Sequence, residues 1–337
     1  MGAGGTPAAA LLEVRNLRTY FRTGRGLFRA VDGVTFKVES GKTVGLVGES
    51  GCGKSVTSLS VMGLVPSPPG HVDADAILFE GGDILRLAPG ERRRLRGSKM
   101  SMIFQEPMTS LNPVHTVGQQ IIESLFAHTG LSARAARERA VEMLELVRIP
   151  SAADRLDDFP HRLSGGQRQR VMIAMALACN PKLLIADEPT TALDVTIQAQ
   201  ILDLLLDLQK RLGMAILMIT HNLGVVAEVA DEVLVMYAGK IVESAPVAEV
   251  FADPQHPYTI GLLGSIPRLD QQRERLSTID GTVPSSDRLP NGCRFAPRCP
   301  FADHRCAEQP PPLREISTNH YVACWRAPVE LSVGSGA

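Results

Sequence analysis

The segment Gly48-Glu49-Ser50-Gly51-Cys52-Gly53-Lys54-Ser55, followed by Val56, has the spacing G-x-x-x-x-G-K-S. A loop of this kind does chemistry with phosphate. Its glycines let the backbone bend closely around an anion, and its N–H groups and the N-terminus of a following helix face that anion. Lys54 is placed to neutralise β- and γ-phosphates, and Ser55 to hold Mg²⁺. A second constellation is the apolar run Leu183-Leu184-Ile185-Ala186, which ends in Asp187 and Glu188. A carboxylate at the tip of a parallel strand lies where such sheets bind ligands. Asp187 then partners the Mg²⁺, and Glu188 orients or deprotonates an attacking water. A third constellation is Cys293, Cys299, Cys306 and Cys324, spaced C-x5-C, C-x6-C and C-x17-C. Four thiols on irregular loops, one followed by Pro300, suit a [4Fe–4S] cluster. The short Cys-x-x-Cys knuckle usual in zinc sites is missing. Zinc stays open as the alternative, as do free or partly disulfide-linked thiols. Cys52 and Cys179 read as ordinary packed thiols.

Elements able to position these groups are visible around them. Thr43 to Val47 reads as a buried strand leading into the glycine-rich loop, and Met100 to Phe104, Leu183 to Ala186 and Ala215 to Thr220 read as further strands. Helical patterns cover Val117 to His128, Ser132 to Val147 with Ser132 as N-cap, and Thr196 to Leu212. Strands alternating with helices predict an α/β domain with a largely parallel sheet. After about Ala252 prolines punctuate the chain and long periodic runs vanish, which predicts an appended, loop-rich extension that the cysteine site helps to hold. The basic run Glu91 to Lys99 reads as a solvated helix face.

Composition narrows the function. The 337 residues carry 35 Lys and Arg against 36 Asp and Glu, a formal net charge of -1, which disfavours bulk electrostatic capture of nucleic acid. At 44% hydrophobic residues the chain is ordinary globular material. Aromatics at 4% are too few for base-stacking surfaces to dominate. The longest apolar run, Val171 to Cys179, is far shorter than the roughly 18 residues of a membrane span. The N-terminus carries no basic residue ahead of its short apolar stretch, so it does not read as a secretory signal. Gly2 and Thr6 match a myristoylation pattern, although a flexible small-residue tail over residues 1–10 fits as well.

Leu163-Ser164-Gly165-Gly166-Gln167 is similar to the signature of ATP-binding-cassette (ABC) ATPases. The resemblance runs from about Leu11 to Phe251, and other family marks follow in order. Gln105, before Glu106-Pro107, resembles the glutamine that contacts Mg²⁺ and water and touches a membrane subunit. Ala192-Leu193-Asp194 resembles the D-loop, and His221 the switch histidine near the γ-phosphate. Phe21, with Tyr20 as runner-up, matches the aromatic that stacks on adenine. The resemblance implies a P-loop fold of ABC type: a RecA-like core, an antiparallel β subdomain and a helical subdomain over about 106–170. The ATPase domain then covers 11–252, with the cysteine-containing extension over 253–337. It also implies that Ser164, Gly165, Gly166 and Gln167 bind the ATP held by an opposite subunit, so the chain pairs head-to-tail with a second nucleotide-binding subunit.

Gln105 to Gln120 (QEPMTSLNPVHTVGQQ), Asp187 to Leu202 (DEPTTALDVTIQAQIL), His256-Pro257-Tyr258-Thr259 and the tail Arg294 to Cys299 (RFAPRC) are similar to ATPase subunits of dipeptide and oligopeptide importers. That subfamily includes nickel and glutathione importers. Its pattern implies ATP and Mg²⁺ (through Ser55, Gln105 and Asp187), a second, different ATPase subunit, two membrane permease subunits and an extracytoplasmic peptide-binding protein. It places the chain on the cytoplasmic face of the membrane. Asn112 to Val117 is the expected contact with the permease. Rival readings are a soluble ABC ATPase acting on DNA or ribosomes, a nucleotide-binding redox sensor, and an exporter. The short span from Gln105 to Ser164, without heptads, speaks against the first. The third would more often carry fused membrane spans.

Overall fold

The structure is a computed structural model and describes residues 10–24, 26–105, 110–191, 193–265, 279–284 and 288–329. Gly2, Thr6, Glu106, Pro107 and Ala192 lie outside the described residues.

The strands are β1 (Ala10–Thr23), β2 (Gly26–Glu39), β3 (Thr43–Val47), β4 (Gly70–Asp73), β5 (Ala76–Phe79), β6 (Gly82–Asp83), β7 (Met100–Ile103), β8 (Leu183–Asp187), β9 (Ala215–Thr220), β10 (Glu232–Tyr237), β11 (Lys240–Pro246), β12 (Arg314–Ser317) and β13 (His320–Val322). They form two sheets. The larger has the order β12-β13-β11-β10-β3-β9-β8-β7. Within it β10, β3, β9, β8 and β7 run parallel. Strands covered on both faces must be apolar throughout, and every residue of TVGLV, LLIAD and AILMIT is buried. The smaller sheet, β2-β1-β5-β6 with β4 on β1, is antiparallel. The last eight residues of β2 mostly alternate between buried and open positions, the mark of a sheet wet on one face.

Helices fill the crossovers. Val117–His128 starts on a capping box in which Thr116 Oγ1 accepts from the Gln119 N–H and Gln119 reaches back to the Thr116 N–H. Ser132 caps Ala133–Leu146. With Gly165–Leu177 these helices enclose Ile121, Leu125, Leu144 and Ile173, all essentially inaccessible to solvent. The helix Pro89–Ser98, on the basic run, buries none of its residues, as expected of a solvated face.

Two expectations need correcting. Phe104 does not extend β7: the strand stops at Ile103 and the Phe104 ring is largely exposed. The extension is more than loops held by cysteines. Its helix Pro257–Gly264 buries Tyr258 completely, and its hairpin β12–β13 joins the larger sheet through pairing of β13 with β11. Burial alone does not account for that docking. The fully buried Glu243 of β11 accepts hydrogen bonds from the Gln255 and His256 N–H groups (2.7 and 2.9 Å) and lies 2.8 Å from His320 Nε2 on β13. A buried carboxylate is tolerated only when so many partners replace its water.

Candidate functional site

The parallel strands end on one rim of the sheet, and each end delivers one chemical group. β3 runs into the glycine-rich loop and the helix Lys54–Met62. Gly48 (φ 154°) and Gly53 (φ 112°) need to be glycines for space as well as angle. A Cβ on Gly48 would sit 2.2 Å from the Met236 carbonyl oxygen, and one on Gly53 would sit 2.4 Å from that of Ala30. Lys54 is nearly buried, and its Nζ donates to the Gly48 and Glu49 carbonyls at 2.7 and 3.1 Å. The ammonium thus bridges the mouth of its own loop, within reach of any anion the loop takes up. Cys52 is fully buried, with burial pushing its thiol up, and packs as expected of it.

β8 delivers the acids. Ser55 Oγ donates to Asp187 Oδ1 at 3.1 Å, so the two expected Mg²⁺ ligands already touch. Asp187 is buried, and desolvation pushes its carboxyl up to about 6. A buried oxygen pair with this much unmet demand for positive charge fits a hard divalent cation. Glu188 follows with φ 47°, left-handed backbone that a glutamate seldom adopts. The turn lets its N–H donate to the Ile219 carbonyl at 2.8 Å.

Three groups converge on the Glu188 carboxylate. Gln105 Nε2 donates at 3.2 Å, Thr191 Oγ1 donates at 2.8 Å, and His221 Nδ1 lies at 3.3 Å. Gln105 lies just past β7 and His221 just past β9, so neighbouring strands β7, β8 and β9 assemble the constellation. Thr191 is a member that sequence reasoning missed. Its position three residues after Glu188, in a turn, was the available signal.

The other expected site residues lie apart from this cluster. Ser164 caps the helix Gly165–Leu177 and forms a capping box with Gln167. Gly166 packs on Ile197, where a Cβ would meet a methyl at 2.9 Å, while Gly165 has room. Among the described residues the side-chain hydrogen bonds of Ser164 and Gln167 stay within that cap, which leaves the N-terminus of the helix facing outward. Asp194 caps Val195–Leu212 through the Ile197 N–H. Phe21 is half-buried against Phe28 across the β1–β2 hairpin, at a centroid distance of 6.3 Å. Tyr20 packs on His71 instead. Val56 lies in the first turn of the helix that opens at Lys54.

Cys293, Cys299, Cys306 and Cys324 line one small cavity together with Phe295, Phe301 and Trp325. All six cysteines are free, which disposes of the disulfide alternative among the described residues. No group of three or more His, Cys, Asp or Glu among those residues is arranged to hold a metal ion. The metal expectation for the cysteines is therefore met only in their convergence. Burial pushes the Cys299 thiol up to about 11 and raises those of Cys293 and Cys324. Cys179 lies two residues past the helix Gly165–Leu177 and is half-buried.

Residues 31–191 match the ABC transporter family, and residues 242–306 match the oligopeptide/dipeptide transporter C-terminal region. The chain is 54% identical over 317 residues to the oligopeptide transport ATP-binding protein AppD of Bacillus subtilis, covering 94% of this chain and 97% of that one. The chain belongs to the family of oligopeptide and dipeptide ABC transporter ATP-binding subunits. The dipeptide transport ATP-binding protein DppD of Escherichia coli is 51% identical, over 94% of this ABC ATPase and 96% of its own length. Among solved structures, the dimeric ABC transporter cassette MJ0796 aligns with a TM-score of 0.62 at 27% identity, covering 70% of this chain and 98% of that one. The same cassette bound to ADP and Pi aligns at 0.60 and 28% identity, over 70% of this chain and 98% of that one. The fold is thus the ABC-type P-loop fold, and the subunit is an ATP-binding and ATP-hydrolysing one. No helix among the described residues of the ABC ATPase is long and apolar enough to cross a membrane.

Proposed function

We propose that the chain energises the import of dipeptides and oligopeptides, working on the cytoplasmic face of the membrane with two permease subunits and an extracytoplasmic peptide-binding protein. The observation that carries this reading is identity above 50% along nearly the whole chain to ATP-binding proteins of oligopeptide and dipeptide transport, the extension included. Nickel or glutathione import by the same machinery is the reading to beat. ATP hydrolysis by the chain assembled with permeases, partner ATPase and binding protein is expected to rise when a dipeptide mixture is added. Stimulation by a nickel chelate or glutathione, with none by peptides, would keep the ATPase and overturn the substrate.

The site residues divide the work. Lys54 and the loop N–H groups bind phosphate, Ser55 and Asp187 with Gln105 hold Mg²⁺, and Phe21 receives the adenine. Bound Mg²⁺ offsets phosphate charge and stabilises charge that develops on transfer. Glu188 takes a proton from the attacking water while Gln105, Thr191 and His221 fix its orientation. Ser164, Gly165, Gly166 and Gln167 serve the ATP of a second, different ATPase subunit. Their outward-facing helix N-terminus and their separation from the cradle of the same chain support that pairing.

The cysteine cavity is the proposed seat of a [4Fe–4S] cluster. The four thiols share one small cavity, and their C-x5-C, C-x6-C and C-x17-C spacing lacks the short knuckle usual in zinc sites, which supports a cluster over zinc. A cluster spreads its thiolates over a larger body. Chain purified without oxygen is expected to carry iron at about four atoms per chain, with broad visible absorption. Cys299→Ser is expected to bleach that absorption. Unchanged colour, or zinc in place of iron, would sink the assignment.

A further inference from the structure

Glu49 is the first variable residue of the phosphate loop, and the extension holds it from two sides. Its N–H donates to Tyr258 Oη at 2.8 Å, and its carboxylate accepts Arg298 Nη1 and Nη2 at 2.6 and 2.9 Å. Such a two-pronged pair fixes direction as well as charge. Arg298 is no mobile surface arm, since only 5% of its side chain is exposed. Its remaining donors are used as well. Nε donates to the Asp280 carbonyl at 2.8 Å, Nη2 also to that of Ile279 at 3.1 Å, and Nη1 also to Tyr237 Oη at 3.4 Å. Tyr258 is fully buried and meets Tyr237 edge-on at 4.7 Å. Phe295 completes the aromatic seat, 5.2 Å from Tyr237 and 5.5 Å from Tyr258.

A glutamate at the mouth of a phosphate cradle has the same sign of charge as the ligand. Uncompensated, it would repel a triphosphate across a partly buried path where water screens poorly. Arg298 cancels that charge and turns the carboxylate toward the extension. Tyr258 takes the Glu49 N–H away from the cradle, which fixes the peptide plane at the start of the loop. We propose that Arg298 and Tyr258 are positioning residues for nucleotide binding, through which the C-terminal extension sets the ATP affinity of the phosphate loop. The proposal rests on the reading of Gly48–Ser55 as the ATP cradle. Arg298 is joined directly to Cys299, so the order of the cysteine segment is transmitted to the nucleotide site.

The test is titration of the full chain with a fluorescent ATP analogue, alongside steady-state ATPase and Tm. Arg298→Ala is expected to raise Kd about tenfold, which is about 1.4 kcal/mol, with the kinetic loss falling on KM rather than kcat. Arg298→Lys keeps the charge without the fork and should lose about threefold. The decisive arm is Glu49→Gln added to Arg298→Ala. Removing the uncompensated charge is expected to recover most of the lost affinity, which a plain structural brace would not do. A lower Tm with unchanged Kd in Arg298→Ala, or no recovery in the double variant, would overturn the proposal. If Arg298→Ala does not fold, Tyr258→Phe, which removes one acceptor, carries the test. An expected loss of about threefold supports the proposal, and an unchanged Kd overturns it. Failure of the unaltered chain to bind the analogue would instead bring down the cradle reading.

Discussion

Glu188→Gln is expected to lower kcat for ATP hydrolysis by about 10²- to 10⁴-fold, the range that a positioned general base contributes. The substitution preserves size and can still accept hydrogen bonds from Gln105 and Thr191, now at 3.2 and 2.8 Å. What it removes is the ability to take a proton from water, and the charge that faces His221 at 3.3 Å. Nucleotide binding should survive because Lys54, Ser55 and Asp187 are untouched, and among the described residues Lys54 Nζ bonds Gly48, Glu49 and Cys52 rather than Glu188. The variant is therefore expected to bind ATP, fail to turn it over and accumulate with its partner subunit as a closed, ATP-loaded pair. Phosphate release and size-exclusion chromatography read the two halves of that outcome. Rapid turnover by the variant would strip Glu188 of its assigned role.

Lys54→Ala is expected to abolish turnover by a different route. The Nζ group stands over the Gly48 and Glu49 carbonyls, nearly out of solvent, and charge-assisted hydrogen bonds are worth about 1.5–3 kcal/mol each. If in the ATP-bound state the Nζ group exchanges these carbonyls for two such bonds to phosphate, affinity for ATP should fall at least about 100-fold, or about 2.7 kcal/mol, when they are lost. A thermal shift measures this directly, because ligand that binds only the folded state stabilises it by RT ln(1 + [L]/Kd). The rise in Tm produced by millimolar MgATP is expected to vanish in the variant. Retention of the full shift would show that the loop N–H groups alone hold the phosphates.

Much of this site is legible in the sequence because it is built from local rules. The phosphate loop is contiguous, the strand before it is largely apolar, and Ser132 announces a helix by capping chemistry that spans three residues. Val117–His128 appears in the periodicity with the same bounds as in the structure. What escapes is fixed by distant partners. Nothing near Glu49 points to an arginine 249 residues away. Thr191 joins the Glu188 constellation only because a left-handed turn folds it back. The hairpin β12–β13 is missed for another reason. Its pairing with β11 is made by backbone groups, and its strands of four and three residues are too short for an alternating pattern to register.

That hairpin changes what the boundary near Ala252 means. Residues before it build most of the sheet and residues after it supply the two strands at one of its edges. The apolar cluster of Val47, Val235 and Tyr237 is completed by Tyr258 and Phe295. Cassette and extension thus share one sheet and one apolar cluster. A chain ending at Ala252 would leave β11 as an open strand, with its outer row of N–H and C=O groups free to recruit another molecule. It would also strand the Glu243 carboxylate without the N–H groups of Gln255 and His256. The extension is therefore a structural part of the ATPase sheet, because its strand β13 occupies the edge that β11 would otherwise expose.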